Sequence, residues 1–242
     1  MPRVLLAIPV YNEAEYIDSV ISKVTEHAEH VLVIDDGSTD ETPTLLAKHA
    51  IEVVRHSENR GYGRAMQDMF HAAAADGFDW LLTMDCDEQH EPAAIPEFME
   101  RIEKTNADVI SGSRYLDMSM QTDIPPADRR RINLELTQRI NARLDMSITD
   151  SFCGFKAYRV SAIERMHFDV DGYDFPMQFW VKAAAFGLSV EEIAIKLIYN
   201  DPSRTFGGPL DDSENRLAVY LETFEREIER CEELLPRVIS HS

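Results

Sequence analysis

Acidic side chains crowd into residues 81–92, which read LLTMDCDEQHEP. An apolar run that predicts a buried strand ends at Met84, and Asp85 and Asp87 follow it two positions apart. In an extended segment this spacing aims both side chains to one side. Two converging carboxylates repel one another unless a cation joins them, and such oxygen ligands suit Mg²⁺ or Mn²⁺ bound together with substrate phosphates. Gln89 could add a neutral oxygen, although a solvated acidic loop remains the alternative for so common a motif.

Two other short stretches place polar residues beside predicted strand ends. In VIDDGSTD, Asp36 could accept hydrogen bonds from a nucleotide base or ribose, whereas Gly37 and Ser38 could simply form a turn before the next helix. In NRGYGRA, two glycines precede a helix and allow the backbone to approach a phosphate. That spacing is not the spacing of a P-loop or a dinucleotide fingerprint. Each stretch alone is a weak indication of a nucleotide site.

Three consecutive arginines, Arg129 to Arg131, interrupt an otherwise acidic chain. Guanidinium groups present paired N–H donors that match the oxygens of a phosphate. The run therefore predicts phosphate binding, and a solvated helix face is the alternative.

The composition limits the classes of protein to which this chain can belong. Its 242 residues include 44 acids and 24 bases, for a formal net charge of −20, which argues against a nucleic-acid surface. Cys86, Cys153 and Cys231 lack the paired spacing of a disulfide framework or a zinc site, so we expect a reducing, cytoplasmic setting. No stretch approaches the roughly 20 apolar residues that cross a bilayer. We expect a protein that is soluble, or peripheral at the cytoplasmic face of a membrane.

Short apolar runs alternate with helical patterns along most of the chain, beginning with RVLLAIPV and HVLVID. This alternation predicts an α/β fold, a single domain with a mostly parallel, doubly wound sheet flanked by helices. Ligands bind such sheets at the carboxyl ends of the strands, where PVYNE, DDGSTD and MDCDEQH lie. Ser38 and Glu41 have the spacing of a capping box for the second helix. Residues 211–242 predict an amphipathic helix packed on the domain or on a partner subunit, so a homodimer is a further expectation.

Six motifs occur in an order that resembles the family 2 glycosyltransferases: IPVYNEAEYI, VIDDGSTDET, NRGYGRAM, MDCDEQHEP, SGSRY and DSFCGFKAYR. The likeness is greatest to the polyprenyl-phosphate sugar transferases, the group of the dolichyl-phosphate mannose synthases. It implies the GT-A fold over residues 1–210, with a donor half at 1–112 and an acceptor half at 113–210. It also implies a GDP- or UDP-sugar donor, and Mg²⁺ or Mn²⁺ as cofactor.

The resemblance assigns roles to individual residues. It places the donor nucleotide against Pro9, Tyr11, Glu13, Asp36, Arg64 and Asp85. It assigns the metal to Asp85, Asp87 and Gln89. Catalysis falls to Asp150, Arg114 and Arg131, and binding of the acceptor phosphate to Arg129, Arg131, Lys156 and Arg204.

The motifs of the acceptor half, residues 113–210, bear on the identity of the acceptor. A hydroxyl acceptor needs a general base, whereas a phosphate monoester is already anionic near pH 7. No Glu-Asp pair of the kind seen in hydroxyl-using relatives precedes the arginines, so we expect a polyprenyl phosphate. Asp150 could orient an arginine or act as a base. Cys153 and Lys156 replace the family's serine and arginine, and the Ser-Lys expected after Arg204 and Gly207 is missing.

Three alternative functions stay open. The first is transfer to a soluble or protein-linked hydroxyl. The second is a nucleotidyltransferase, although PVYNEAEY lacks the glycine-rich loop that would grip a triphosphate after the first strand. The third is a non-catalytic binder of nucleotide sugars.

Overall fold

Seven strands and eight α-helices alternate along the chain in a computed structural model, which describes residues 1–86, 91–121, 123–198 and 205–235. The strands are β1 (Val4–Val10), β2 (Val31–Asp35), β3 (Glu52–Arg55), β4 (Trp80–Thr83), β5 (Val109–Ser113), β6 (Lys156–Arg159) and β7 (Val190–Ala194). The helices are α1 (Ile17–Val24), α2 (Thr42–Leu46), α3 (Tyr62–Ala75), α4 (Ile95–Lys104), α5 (Ala127–Leu144), α6 (Val160–Ile163), α7 (Phe175–Ala185) and α8 (Ser213–Cys231).

The strands form one sheet in the order β3-β2-β1-β4-β6-β5-β7. Only β6 is antiparallel to its neighbours, β4 and β5, so the prediction of a mostly parallel sheet is confirmed. The chain order reverses between β1 and β4, which lie side by side. Side chains that follow these two strands therefore meet at a switch point, where α/β sheets bind ligands.

The core has two apolar layers, one on each face of the sheet. Along β1, Leu5 and Ala7 point into one layer while Leu6 and Ile8 point into the other, as the alternation of a strand requires. Helices α1 and α4 cover one face, and α3, α5, α7 and α8 cover the opposite face. Near-continuous apolar strands such as β2 (VLVID) are buried on both sides and suit this arrangement.

The predicted capping box at the start of α2 is wrong. The helix begins at Thr42, and its N-cap residue, Glu41, makes no side-chain capping hydrogen bond. The Ser38 hydroxyl instead accepts a hydrogen bond from the backbone N–H of Asn12, at 2.9 Å. The local pattern is overridden because the loop after β1 supplies a competing donor.

The amphipathic helix α8 packs on α5 and α7 of the same chain. Its buried apolar face includes Leu217, Tyr220, Phe224 and Ile228, and burial of each contributes about 1.5–3 kcal/mol. The Asp212 carboxylate caps its start by accepting from the backbone N–H groups of Glu214 and Asn215, at 3.1 and 2.9 Å. The division of the chain at residue 210 and a homodimer stay predictions. Among the described residues, no helix is both long and apolar enough to traverse a bilayer.

Candidate active site

A cleft of about 950 Å³ lies at the carboxyl ends of β1, β2 and β4. Seven of the residues predicted from the sequence line it: Pro9, Tyr11, Glu13, Asp36, Asp85, Arg114 and Arg129. The sheet topology thus collects side chains that are far apart in the sequence around one opening.

Asn12 ties the loops after β1 and β2 together on one side of the cleft. It adopts a φ of 56°, a left-handed conformation that asparagine tolerates better than most residues. Its side-chain oxygen accepts from the backbone N–H groups of Thr39 and Asp40, at 2.8 and 3.3 Å. The next residue, Glu13, donates its backbone N–H to the hydroxyl of Thr42, at 2.9 Å. These bonds fix the backbone beside Tyr11 and Glu13.

The Asp36 carboxylate is buried and already accepts several protein donors. Oδ1 accepts from the backbone N–H of Arg60 and lies 2.6 Å from His56 Nδ1, and Oδ2 accepts from the backbone N–H of Gly61. In this structure the side chain therefore holds the loop before α3. Its predicted contact with a nucleotide base stays a prediction.

Asp85 projects into the cleft just after β4 and packs against Gly154. A Cβ built on Gly154 would lie 2.4 Å from Asp85 Oδ2, so any larger residue would displace the carboxylate. The hydroxyl of Thr83, at the end of β4, donates to the carbonyl of Gly154 at 2.7 Å and fixes this approach. The glycine of the DSFCGF motif is thus required by the position of Asp85.

A buried ion pair lies on the opposite side of the cleft. Arg114 donates from Nε and Nη2 to the two oxygens of Asp150, at 2.7 and 2.9 Å, and Asn133 donates to the same carboxylate at 2.8 Å. Burial alone would raise the pKa of Asp150, but Arg114 holds that pKa well below its ordinary value. A fully buried carboxylate of this kind is a poor general base and is suited to orient the arginine.

Two further arginines flank an aromatic ring at the cleft. The guanidinium carbon of Arg129 lies 4.8 Å, and that of Arg216 lies 4.4 Å, from the ring centroid of Phe206. Arg216 also donates to Asp128 at 2.6 Å and to the carbonyl of Leu210 at 2.7 Å. The cleft therefore has an acidic side at Glu13 and Asp85 and a basic side at these arginines.

Besides Asp150, which is fully buried behind Arg114, three predicted residues do not line this cleft. Arg64 is held by Asp68, one helical turn away, at 2.6 Å. Lys156 is buried beneath the site, where its amine donates to the Cys153 carbonyl, and burial lowers the pKa of that amine. Arg131 points outward to Glu214, at 2.5 Å, because residues two apart on a helix face different directions.

Three other predicted residues, Asp87, Gln89 and Arg204, lie outside the described part of the chain. Burial raises the pKa of the Cys153 thiol to about 12, so the thiol stays protonated and acts as a packed side chain.

The described residues supply only part of a ligand set for a divalent cation. The Asp85 carboxylate reaches the cleft, and its oxygens are hard ligands that suit Mg²⁺ or Mn²⁺. Within residues 1–86, 91–121, 123–198 and 205–235, no three His, Cys, Asp or Glu side chains form a metal-binding cluster. The other two predicted ligands, Asp87 and Gln89, lie outside these ranges.

Sequence reasoning missed an aromatic wall of the cleft. The rings of Tyr62 and Tyr173 are stacked 5.9 Å apart, and Tyr173 meets Phe206 edge to face at 5.4 Å. It also missed Arg216, which is 3% exposed. No sequence signal distinguished Arg216, since α8 also contains Arg226 and Arg230. The aromatic wall had no signal either, because its residues come from three distant segments.

The sequence model described as Glycosyl transferase family 2 matches residues 6–166, about two thirds of the chain. The chain belongs to glycosyl transferase family 2. A relative from Mycolicibacterium smegmatis, named polyprenol monophosphomannose synthase, is 31% identical over 207 residues, covering 80% of this chain and 76% of the relative. The undecaprenyl-phosphate mannosyltransferase of Micrococcus luteus is 28% identical, covering 85% of this chain and 88% of that protein.

The fold of this family 2 glycosyltransferase is also found in solved structures. The glucosyl-3-phosphoglycerate synthase of Mycobacterium tuberculosis, in a crystal structure with Mn²⁺, uridine diphosphate and glucosyl-3-phosphoglycerate, superposes with a TM-score of 0.73 at 17% identity. The match covers 97% of this chain and 81% of the neighbour, and it confirms the GT-A fold. The chain is an enzyme of the hexosyltransferase kind and resembles polyprenyl-phosphate mannosyltransferases.

Proposed function

We propose that this glycosyltransferase moves a sugar from a GDP- or UDP-sugar to a polyprenyl phosphate, with inversion at the anomeric carbon. The observation that carries the proposal is an apolar groove that continues from the basic side of the cleft. The groove has a volume of about 780 Å³ and shares Tyr115, Pro125 and Leu197 with the cleft. Its lining includes the exposed side chains of Met118 and Ile124.

The groove joins an apolar surface to arginines, which matches the chemistry of a lipid phosphate. Met118 is 60% and Ile124 is 89% exposed, and exposed apolar clusters of this kind mark interaction sites. Arg130 lines the groove with its guanidinium 3.7 Å from the ring centroid of Tyr115, and Arg131 lies on the same surface. An isoprenoid chain would occupy the groove while its phosphate reached Arg129 in the cleft.

The proposed reaction is a single displacement. A phosphate oxygen of the acceptor attacks the anomeric carbon, the bond from that carbon to the donor diphosphate breaks, and the nucleoside diphosphate leaves with the electron pair. The acceptor phosphate is anionic at neutral pH, since its second pKa is about 6, so no side chain has to remove a proton. This agrees with the buried, arginine-bound state of Asp150.

The charges of the cleft match the charges of the reaction. Arg114 is held as a cation by Asp150 and faces the cleft, where it would stabilise negative charge on the reacting phosphates. Asp85, with Asp87 and Gln89, would hold Mg²⁺ or Mn²⁺. When bound, such an ion acts as a Lewis acid on the departing diphosphate.

Donor and acceptor are tested separately. Melting temperatures are measured with UDP and with GDP, each with and without Mn²⁺, because a ligand that binds only the folded state raises the melting temperature. Transfer is then assayed with polyprenyl phosphate, the matching alcohol without phosphate, a short isoprenyl phosphate and 3-phosphoglycerate. We expect product only with the isoprenyl phosphates. Product with 3-phosphoglycerate alone would indicate a soluble acceptor and contradict the proposal.

The groove is tested with the double variant Met118→Ser and Ile124→Ser. We expect the KM for the long polyprenyl phosphate to rise about tenfold, because two apolar contacts are lost, and the KM for the short isoprenyl phosphate to stay within about twofold. Leu234→Ser is the matched control, since Leu234 is also 60% exposed but does not line the groove. Equal effects on both acceptors would remove the groove from the proposal.

A further inference from the structure

A buried histidine lies between two carboxylates behind the acidic side of the cleft. His56 follows β3, and its side chain is 6% exposed. Its Nδ1 lies 2.6 Å from Asp36 Oδ1, and its Nε2 lies 2.8 Å from Asp68 Oδ2. An ionised carboxylate only accepts hydrogen bonds, so both contacts are hydrogen bonds only when both ring nitrogens carry protons. A neutral imidazole would direct a lone pair at one of the carboxylates.

A charged ring would offset negative charge around His56. Asp68 also accepts from Arg64 Nε and Nη2, at 3.1 and 2.6 Å. Arg64 is shared with a further carboxylate, Asp171, so one guanidinium does not compensate all the acids of the cluster. A neutral ring would leave the pair of carboxylates at His56 with less compensating charge in a largely buried place, which is unfavourable.

Asp36 connects this cluster to a loop that lines the cleft. Its two oxygens accept the backbone N–H groups of Arg60 and Gly61, both at 2.8 Å. Gly61 adopts a φ of +102°, and a Cβ there would lie 2.3 Å from the carbonyl oxygen of Asp171. Asn59 and Gly61 face the cleft beside Tyr11. The position of this loop therefore depends on the orientation of one carboxylate.

The loop has little room to adjust if that carboxylate turns. A Cβ on Gly37, the residue after Asp36, would lie 2.3 Å from the carbonyl carbon of Glu58. The turn after β2 is thus in direct contact with the backbone of the loop. A rotation of the Asp36 side chain would break both amide hydrogen bonds. The loop could not then move to another position in which the carboxylate accepts from both amides.

We propose that His56 is a positioning residue: as an imidazolium between Asp36 and Asp68, it holds residues 59–61 against the nucleotide of the donor. The inference rests on the proposed function, since it takes this side of the cleft as the nucleotide side. It adds that donor affinity depends on a histidine that does not line the cleft. The histidine acts through Asp36, so it affects binding of the nucleotide and leaves the transfer step unchanged.

The test replaces His56 by glutamine, which is neutral and has a single donor nitrogen. Dissociation constants of UDP and of GDP with Mn²⁺ are measured by calorimetry, followed by the donor KM and kcat. We expect the nucleotide to bind about tenfold more weakly and the donor KM to rise equally, while kcat and the acceptor KM stay within about twofold. Nucleotide binding as tight as in the wild type would overturn the proposal.

His49→Gln is the matched control. His49 also pairs with an aspartate, through Nε2 to Asp18 at 2.8 Å, but Asp18 is 52% exposed and neither residue lines the cleft. We expect no change in nucleotide affinity. Should His56→Gln fail to fold, Asp68→Asn removes one carboxylate and keeps the ring, and we expect about threefold weaker binding of the nucleotide. Unchanged binding in that variant would also contradict the role of His56.

A spectroscopic measurement on the wild-type protein is independent of any substrate. In protein labelled with ¹⁵N-histidine, the ring resonances that disappear in His56→Gln belong to His56. We expect N–H protons on both ring nitrogens near pH 7, whereas a single N–H proton would refute the imidazolium. If the wild type bound neither nucleotide, the proposed function would fail, and two N–H protons would still support the charged bridge.

Discussion

The two sides of the cleft are built in different ways. On the acidic side, which we call the donor side after its proposed role, backbone N–H groups join the loops after β1 and β2, as where Asn12 accepts from Thr39 and Glu13 donates to Thr42. On the basic side, which we call the acceptor side after its proposed role, long cationic side chains contact other side chains, as where Arg129 lies over Phe206. Backbone contacts fix a pocket before a ligand arrives, whereas side-chain contacts can exchange for a ligand. We infer that the donor pocket is preformed and that the acceptor pocket rearranges.

The arginines of the acceptor side differ among themselves. Arg114 makes two hydrogen bonds to a fully buried carboxylate, and breaking them would leave the Asp150 charge uncompensated. Arg129 lies over an aromatic ring, and a cation–π contact contributes about 0.5–2 kcal/mol. Arg114 is therefore the fixed cation of the site. We expect Arg129, which lines the cleft, to be the cation that follows the acceptor.

The largest effect is expected on the donor side, from Asp85→Asn. The substitution keeps the shape of the side chain beside Gly154 and removes its charge. We expect kcat/KM to fall about a thousandfold, because one preorganised electrostatic contact to a reacting diphosphate is worth up to that factor. Steady-state kinetics at saturating Mn²⁺ measure the change.

The control for Asp85→Asn is Asp76→Asn, the same chemical change at an exposed position at the end of α3. We expect wild-type kinetics in the control and equal melting temperatures in both variants. A kcat/KM for Asp85→Asn within tenfold of the wild type would contradict the comparison, since the donor side would then not depend on the Asp85 carboxylate.

The next effect is on stability, at the fixed cation of the acceptor side. Asp150→Asn leaves the largely buried Arg114 side chain, which is 16% exposed, without a charged partner, and we expect a loss of about 3 kcal/mol in the free energy of unfolding. Urea denaturation near pH 7 measures it. Glu135→Gln is the control, since Glu135 pairs with Arg139 at 3.1 Å on the surface, where an ion pair contributes little.

The same variant predicts a pH dependence of definite sign. Arg114 lowers the folded-state pKa of Asp150 below the unfolded-state value of about 3.9. The resulting stabilisation is present above the unfolded-state pKa and is lost as the pH falls through the folded-state pKa. The difference in unfolding free energy between the wild type and Asp150→Asn should therefore shrink on acidification from about pH 7 to about pH 3. A constant difference would contradict the pairing.

Most of the fold and the donor side were predictable from the sequence, for a physical reason. Parallel strands bring their carboxyl ends to one edge, so PVYNE, DDGSTD and MDCDEQH are recognised as one site once the strands are identified. The antiparallel insertion of β6 was not predicted, because the sequence of a short strand such as KAYR carries no sign of its direction. The prediction of a capping box was wrong for a related reason. The Ser38 hydroxyl accepts a hydrogen bond from the backbone N–H of Asn12, 26 residues away.

The acceptor side was less predictable because helix rotation decides which side chains face the cleft. Within the run of three arginines, the sequence favoured Arg131, whereas the structure turns Arg129 to the cleft and Arg131 to Glu214. Successive helical residues point about 100° apart, so an error of two positions reverses the direction. The sequence did not indicate Phe206 or Arg216 as residues of the acceptor side, because their positions depend on how α8 packs.

The smallest effects distinguish these arginines and test whether the acceptor side rearranges. Arg129→Ala should raise the KM for the acceptor about tenfold, because it removes a cation able to reach the phosphate, and leave the donor KM within about twofold. Arg131→Ala should raise the acceptor KM only about twofold, since Arg131 lies in the groove and pairs with Glu214.

Phe206→Leu removes the ring that competes for Arg129, so we expect the acceptor KM to fall by a small factor or to stay unchanged. A rise as large as that of Arg129→Ala would show that Phe206 orients Arg129 toward the phosphate, and the acceptor side would then be as preformed as the donor side.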